Sequence, residues 1–156
     1  SLVGWWDLAL ENSLDDMVFP AGTGFLCNFT TPGITLTYAG EVLLGTIELD
    51  LSGQQFPMVS NFTPVDLTLG DLVVSGMDPD NDMIQFLNTG TAFTETSATY
   101  IDADLAVALG DPGLEGWWDL ALENSLNAYP FPAGTAFLGN FTSPSVKITF
   151  PSPIAP

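Results

Sequence analysis

Two clusters in this chain have the residue types for sugar chemistry: Trp5-Trp6-Asp7 with Glu11, and Trp117-Trp118-Asp119 with Glu123. An indole face stacks on a pyranose ring, and two carboxyl groups can serve as acid and nucleophile at a glycosidic bond. Neither cluster has a His, Arg or Lys near it in sequence to tune such a pair. Core and sheet-edge packing is therefore the leading reading. Glycan stacking on Trp5, Trp6, Trp117 and Trp118 is the alternative, and the chain reads as a non-enzyme.

Other chemistries fall away through missing residue types. There is no His, so no Ser-His or Cys-His couple can form. Imidazole-based or multi-thiolate metal sites are excluded on the same ground. The lone Cys27 aligns with Gly139 and reads as a small buried hydrophobe. Asp78, Asp80 and Asp82 alternate in the manner of the first half of a calcium loop. Met83 replaces the turn glycine of that pattern and no closing Glu follows, so a solvated acidic turn is the stronger reading and calcium the weaker one. Asn28, Asn61 and Asn140 each open an Asn-Phe-Thr sequon and are the candidate glycosylation sites.

These clusters recur because the chain repeats itself. Residues 4–38 align without a gap to residues 116–150, with 11 identities in GWWDLALENSL and 12 after it, so 23 of 35 columns match. We call these segments the first and second copies. Residues 1–53 read as an incomplete repeat, the back half of a unit. Residues 54–156 read as a complete unit, front half followed by back half, with a Pro-rich tail. The first copy thus lacks a front half within this sequence, which some partner, or a lost segment, would supply.

The charge balance narrows the partners. Asp and Glu number 19 in 156 residues, but Lys147 is the sole cation, giving a net charge of -18. Such a chain cannot neutralise phosphates, so nucleic acid and anionic membrane surfaces are excluded as partners. Hydrophobic residues make up 46%, too many for a disordered chain, yet no apolar run is long enough to span a bilayer as a helix. The near absence of Lys and Arg also leaves almost no site for a trypsin-like protease, which suits an extracellular or cell-surface protein.

Strand patterns must position these residues. Ile47, Leu49 and Leu51 alternate with Thr46, Glu48 and Asp50. Further strands are predicted at Phe56 to Ser60, Val73 to Ser75, Met83 to Leu87, Ala92 to Ile101, Thr135 to Phe141 and Val146 to Phe150, with a hairpin around Ala39-Gly40 and a strand starting at Trp5 or Trp117. Thr68 to Leu72 suggests one helical turn and Ala103 to Leu109 a short helix. Pro20-Ala21-Gly22-Thr23 and Pro132-Ala133-Gly134-Thr135 predict tight turns that launch strands. The expected fold is all-β: an antiparallel, sandwich-like module with little helix.

FPMVSNFTPVDLTLGDL at Phe56 to Leu72, MIQFLNTGTAF, GWWD and the closing PAGTGFL or PAGTAFL together resemble β-rich repeats in secreted proteins of planctomycete-like and verrucomicrobia-like environmental bacteria. Phe62 stands where that pattern usually shows Pro. The resemblance implies an extracellular β module without catalytic residues. The resulting expectation is a structural subunit that self-assembles head-to-tail into a filament or surface layer, with itself as partner. A carbohydrate-binding or adhesive module is the alternative.

Overall fold

The computed structural model describes residues 5, 8–9, 11–18, 22–24, 45–86 and 96–153. The hairpin predicted around Ala39-Gly40, Cys27 and Asn28 lie outside the described residues. Among the described residues there are ten strands, all paired antiparallel. These are β1 (Ile47–Asp50), β2 (Met58–Ser60), β3 (Leu67–Thr68), β4 (Val73–Ser75), β5 (Met83–Phe86), β6 (Thr96–Ile101), β7 (Gly116–Asp119), β8 (Pro130–Phe131), β9 (Ala136–Asn140) and β10 (Lys147–Phe150). A five-stranded sheet has the order β2-β9-β5-β6-β7, a smaller one the order β1-β10-β4, and β3 pairs with β8.

The two larger sheets bury their faces in one core. Period-2 alternation sends Ile84 and Phe86 inward from β5 and Ile148 and Phe150 inward from β10. Phe131 of β8 is fully buried where the sheets meet. Its ring centroid lies 5.7 Å from Phe86 and 5.4 Å from Phe137 of the larger sheet, and 6.3 Å from Phe150 of the smaller. Aromatic rings at such spacings add to the burial energy. The all-β, sandwich-like expectation holds, and the short helix forms as α1 (Ala103–Ala108), capped where Asp102 Oδ1 accepts the Leu105 N–H at 2.8 Å. The turn predicted at Thr68 to Leu72 is a 3-10 turn over Leu69–Asp71.

Residues on either side of position 53 pair into common sheets. β1 runs against β10, Glu48 opposite Thr149 and Asp50 opposite Lys147. Nearer the N-terminus, Gly22 to Gly24 lie along β2: Gly24 N–H donates to Met58 O at 2.9 Å, and Ser60 N–H donates to Gly22 O at 3.0 Å. The opposite edge of β2 faces the second copy, where Gly139 N–H donates to Pro57 O and Asn61 N–H to Thr135 O, both at 2.8 Å. Backbone groups of successive strand residues point to opposite sides. Met58 and Ser60 therefore serve the first copy while Pro57 and Asn61 serve the second. β2 is thus flanked on one side by the first copy and on the other by the second.

The equivalent turn glycines have positive φ, +82° at Gly22 and +77° at Gly134, but different surroundings. A Cβ at Gly134 would meet open space, whereas one at Gly22 would stand 2.5 Å from Leu49 Cδ1 and 3.2 Å from the Phe62 ring. Gly134→Ala should thus cost about 1 kcal/mol, the backbone penalty alone. Gly22→Ala should cost roughly 2 kcal/mol, because Leu49 must also give way. Urea unfolding of both variants checks this. Equal costs would mean that the first copy does not pack on Leu49.

Candidate functional site

The segment around Gly116–Asp119 holds the richest set of candidate residues. Trp117 is fully buried. Its backbone N–H donates to Asn127 Oδ1 at 2.7 Å, and its carbonyl accepts the Leu126 N–H at 2.7 Å. Both backbone groups of Trp117 are thereby turned to its own loop. Opposite Tyr100 of β6 this makes a non-hydrogen-bonded pair, the geometry in which cross-strand side chains come closest. The Tyr100 and Trp117 rings meet edge to face at 5.2 Å. Trp118 is half-buried, its indole N–H donating to Leu114 O at 2.7 Å. The structure corrects the stacking alternative at one residue: Trp117 has no face for a sugar. Trp5 is 59% exposed, and Trp6 lies outside the described residues.

The Asp119 carboxylate is engaged by its own loop. Its Oδ2 accepts from Asn124 Nδ2 at 2.6 Å and its Oδ1 from the backbone N–H of Glu123 at 2.9 Å. These bonds, the Asn124 amide first, hold its carboxyl below the usual aspartate value. A carboxylate kept ionised in this way is a poor general acid. It closes the loop between β7 and Ser125.

The three acidic residues read as a calcium half-loop do not converge on a common point. Asp78 Oδ1 accepts the Asp80 N–H at 3.0 Å and its Oδ2 accepts from Asn81 Nδ2 at 2.8 Å. Asp82 is buried; its Oδ2 accepts the Asp78 N–H at 2.9 Å, and its Oδ1 accepts Thr142 N–H at 2.6 Å, Thr142 Oγ1 at 3.0 Å and Ser143 N–H at 3.2 Å. Among the described residues no group of three or more His, Cys, Asp or Glu is placed to hold a metal ion. The segment is a self-capped turn that Asp82 ties to the end of β9. Burial pushes the Asp82 carboxyl up, and the donors from Asp78, Ser143 and Thr142 outweigh it, leaving the pKa below its ordinary 3.8.

The sequon at Asn61 is corrected too. Asn61 is 1% exposed, and its Nδ2 donates to Phe131 O at 2.7 Å and Val65 O at 3.1 Å, so no amide hydrogen is left for a glycan. Its Oδ1 accepts both the N–H and the hydroxyl of Thr63, at 3.0 and 2.7 Å. The Asn-Phe-Thr motif is a side-chain turn here. Asn140 ends β9 opposite Met83, half-buried.

The sequence reading missed an open depression of about 410 Å³ lined in part by Gly70, Leu72, Tyr100, Glu115 and Asn127. Burial first and the Glu115 charge second push the Tyr100 phenol above its usual value, so it stays protonated. Its lining comes from four separate segments, which no local pattern reveals. Among the described residues no helix is long and apolar enough to cross a membrane. Comparison with protein-family models, with curated proteins and with solved structures finds no match.

Two outcomes follow from this geometry. Asp82→Ala should lose about 3 kcal/mol at neutral pH by orphaning the donors of Asp78, Thr142 and Ser143. Because the folded-state pKa of Asp82 is depressed, its contribution is present above the unfolded value and lost as pH falls. The gap between wild type and variant in chemical denaturation should therefore narrow below about pH 4. In acrylamide quenching, Trp117→Phe should remove a blue, protected emission and Trp5→Phe a readily quenched one. Polysaccharide that shifts the Trp117 emission would reinstate a platform in the second copy.

Proposed function

We propose that this chain is an extracellular structural subunit that self-assembles head-to-tail by strand complementation into a filament or surface layer. The observation that carries the reading is the occupancy of β2: a stretch of each copy, Gly22 to Gly24 of the first and Ala136 to Leu138 of the second, lines one of its two edges. The bridge of Thr23 to Val59 supports strand addition as the means by which units join. The same operation between chains extends an array, since main-chain hydrogen bonds supply affinity and alternate side chains supply register. A heterologous contact of this kind does not close on itself and so propagates.

Apolar exposure supports the same reading. Trp5, Leu8, Met17 and Val18 are all more than half exposed in the first copy. Subunits that bury faces against each other carry such patches. The scarcity of Lys and Arg, which leaves little for a trypsin-like protease to cut, supports an extracellular setting. The alternative, an adhesive module, rests on exposed Trp5.

With a net charge of -18 per chain, subunits repel each other at low ionic strength. Sedimentation and negative-stain microscopy should show monomers in dilute buffer and regular filaments or sheets as NaCl rises towards about 0.5 M, where the Debye length falls to roughly 4 Å. Deleting Ser1 to Glu11 should leave folded monomers that do not assemble. Normal filaments from that deletion, or monomers at every salt concentration, would remove the reading.

A further inference from the structure

We propose that the chain cuts itself once, at the Asp111–Pro112 peptide bond, with the Asp111 carboxyl group as nucleophile and water as the second reactant. The inference stands apart from the assembly reading, because it concerns one bond within a single chain.

Proline weakens this bond. Its amide nitrogen carries no N–H and, once protonated, leaves as a secondary amine. An aspartate on the acyl side brings its own carboxyl group to the bond, and a nucleophile held beside its target gains a large effective concentration. The chain has two such pairs, Asp78-Pro79 and Asp111-Pro112, so one is a control for the other.

At Asp111 the parts are in place. Its Oδ1 accepts the Gly113 N–H at 2.9 Å, which folds the side chain over the intervening peptide, and its Oδ2 has no partner among the described residues. The Asp111 carbonyl accepts the Leu114 N–H at 3.1 Å, a donor that would steady the oxyanion formed by attack. Asp111, Pro112 and Gly113 are exposed, and Pro112 and Gly113 line the open depression beside Tyr100, so solvent has access to the bond. The ionisable groups on the elements around this turn are Asp102, Asp104, Glu115 and the Tyr100 phenol, none of them a cation that would hold the free oxygen.

At Asp78 the nucleophile is occupied. Its Oδ1 accepts the Asp80 N–H and its Oδ2 the Asn81 side-chain amide, and the residue is half-buried. Its carbonyl is the more polarised of the two, accepting N–H groups from Asn81 at 3.1 Å and Asp82 at 2.7 Å. The difference between the bonds therefore lies in the free carboxyl oxygen and in access for water.

In the reaction Oδ2 of Asp111 attacks the Asp111 carbonyl carbon and closes a cyclic anhydride, while a proton from solvent goes to the Pro112 nitrogen as the C–N bond breaks. Water then opens the anhydride and leaves Asp111 as a new C-terminus. One water is consumed and nothing is oxidised or reduced. The cut falls between β6 and β7. Among the described strands, β7, β8, β9 and β10 each pair only with strands that precede Asp111, so the two pieces stay joined through the sheets.

The test is incubation of the full chain at a series of pH values around about 4, where an ordinary aspartate is roughly half ionised, with mass spectrometry of the products. Rates are compared at the lowest pH at which circular dichroism shows the fold intact. The expected products are residues 1–111 and 112–156, formed at least about tenfold faster than residues 1–78 and 79–156 and faster than in concentrated urea at the same pH, where the two bonds should be cut at similar rates. Asp111→Asn keeps an oxygen for the Gly113 N–H and should keep the fold, yet lose this cut. Val107→Ala, on the exposed side of α1, should be cut as wild type is. The cut protein should elute as one species in native buffer and as two in urea. Equal rates at the two bonds in the folded chain, a rate at Asp111–Pro112 no higher than in urea, or an unchanged rate in Asp111→Asn would overturn the proposal.

Discussion

The fold depends on the alternation of backbone groups along one short strand. Between Pro57 and Asn61 the chain sends hydrogen-bonding groups to both sides, one side taken by Gly22 and Gly24 and the other by Thr135 to Gly139. Asn61 doubles this role with its side chain. Its amide fixes the carbonyl of Phe131, the residue whose ring joins the aromatic cores of both sheets. A buried amide with all its partners in place specifies a single arrangement, because any shift strands polar groups in an apolar core. The register of β2, the placing of Phe131 and the meeting of the sheets are thus one constraint.

The paired copies separate local from tertiary causes of structure. Trp5 and Trp117 stand in the same eleven-residue sequence and carry the same backbone bonds to their loops, yet one is exposed and the other has no exposure. The hydrogen bonds recur with the sequence, while the burial of Trp117 comes from its packing in the core, Tyr100 of β6 included. Covering an indole of this size is worth on the order of 2 to 3 kcal/mol. A difference of that size is comparable to a large share of a domain's net stability. Uncovered apolar area in one copy and covered area in the other therefore mark an energetic asymmetry along the chain.

Much of the sheet framework was legible from alternation alone: β1, β4, β5, β9, β10 and the start of β7 lie where apolar and polar residues alternate or an apolar run is bounded by turn residues. The β3-β8 pair was not legible, since two-residue strands at Leu67–Thr68 and Pro130–Phe131 leave no periodic trace. Site readings suffered from a different blindness. Asn-Phe-Thr and Asp-Pro-Asp-Asn-Asp name side chains that can take a glycan or a cation, but the same oxygens and amides cap turns. Only burial decides between the two uses. At Asn61 and Asp82 the protein's own backbone takes those groups. Gly139, the counterpart of Cys27, shows the same limit: a Cβ there would stand 2.5 Å from the Phe141 ring, a packing fact with no sequence signature.

Electrostatics restricts how such a chain can hold itself and others. The single cation, Lys147, pairs with Glu48 at 2.8 Å across β1 and β10, and the hydrogen bond to Glu48 first and its charge second raise the lysine pKa. Both side chains are well exposed, and an exposed pair of this kind contributes little to stability. The β1-β10 pairing must rest on its backbone ladder and on Leu49 packed against the core. No second cation exists anywhere in the chain, so two copies cannot meet through a network of ion pairs. Main-chain hydrogen bonding and apolar burial are what remain, and these two act together where a strand is added to a sheet edge beside an uncovered indole.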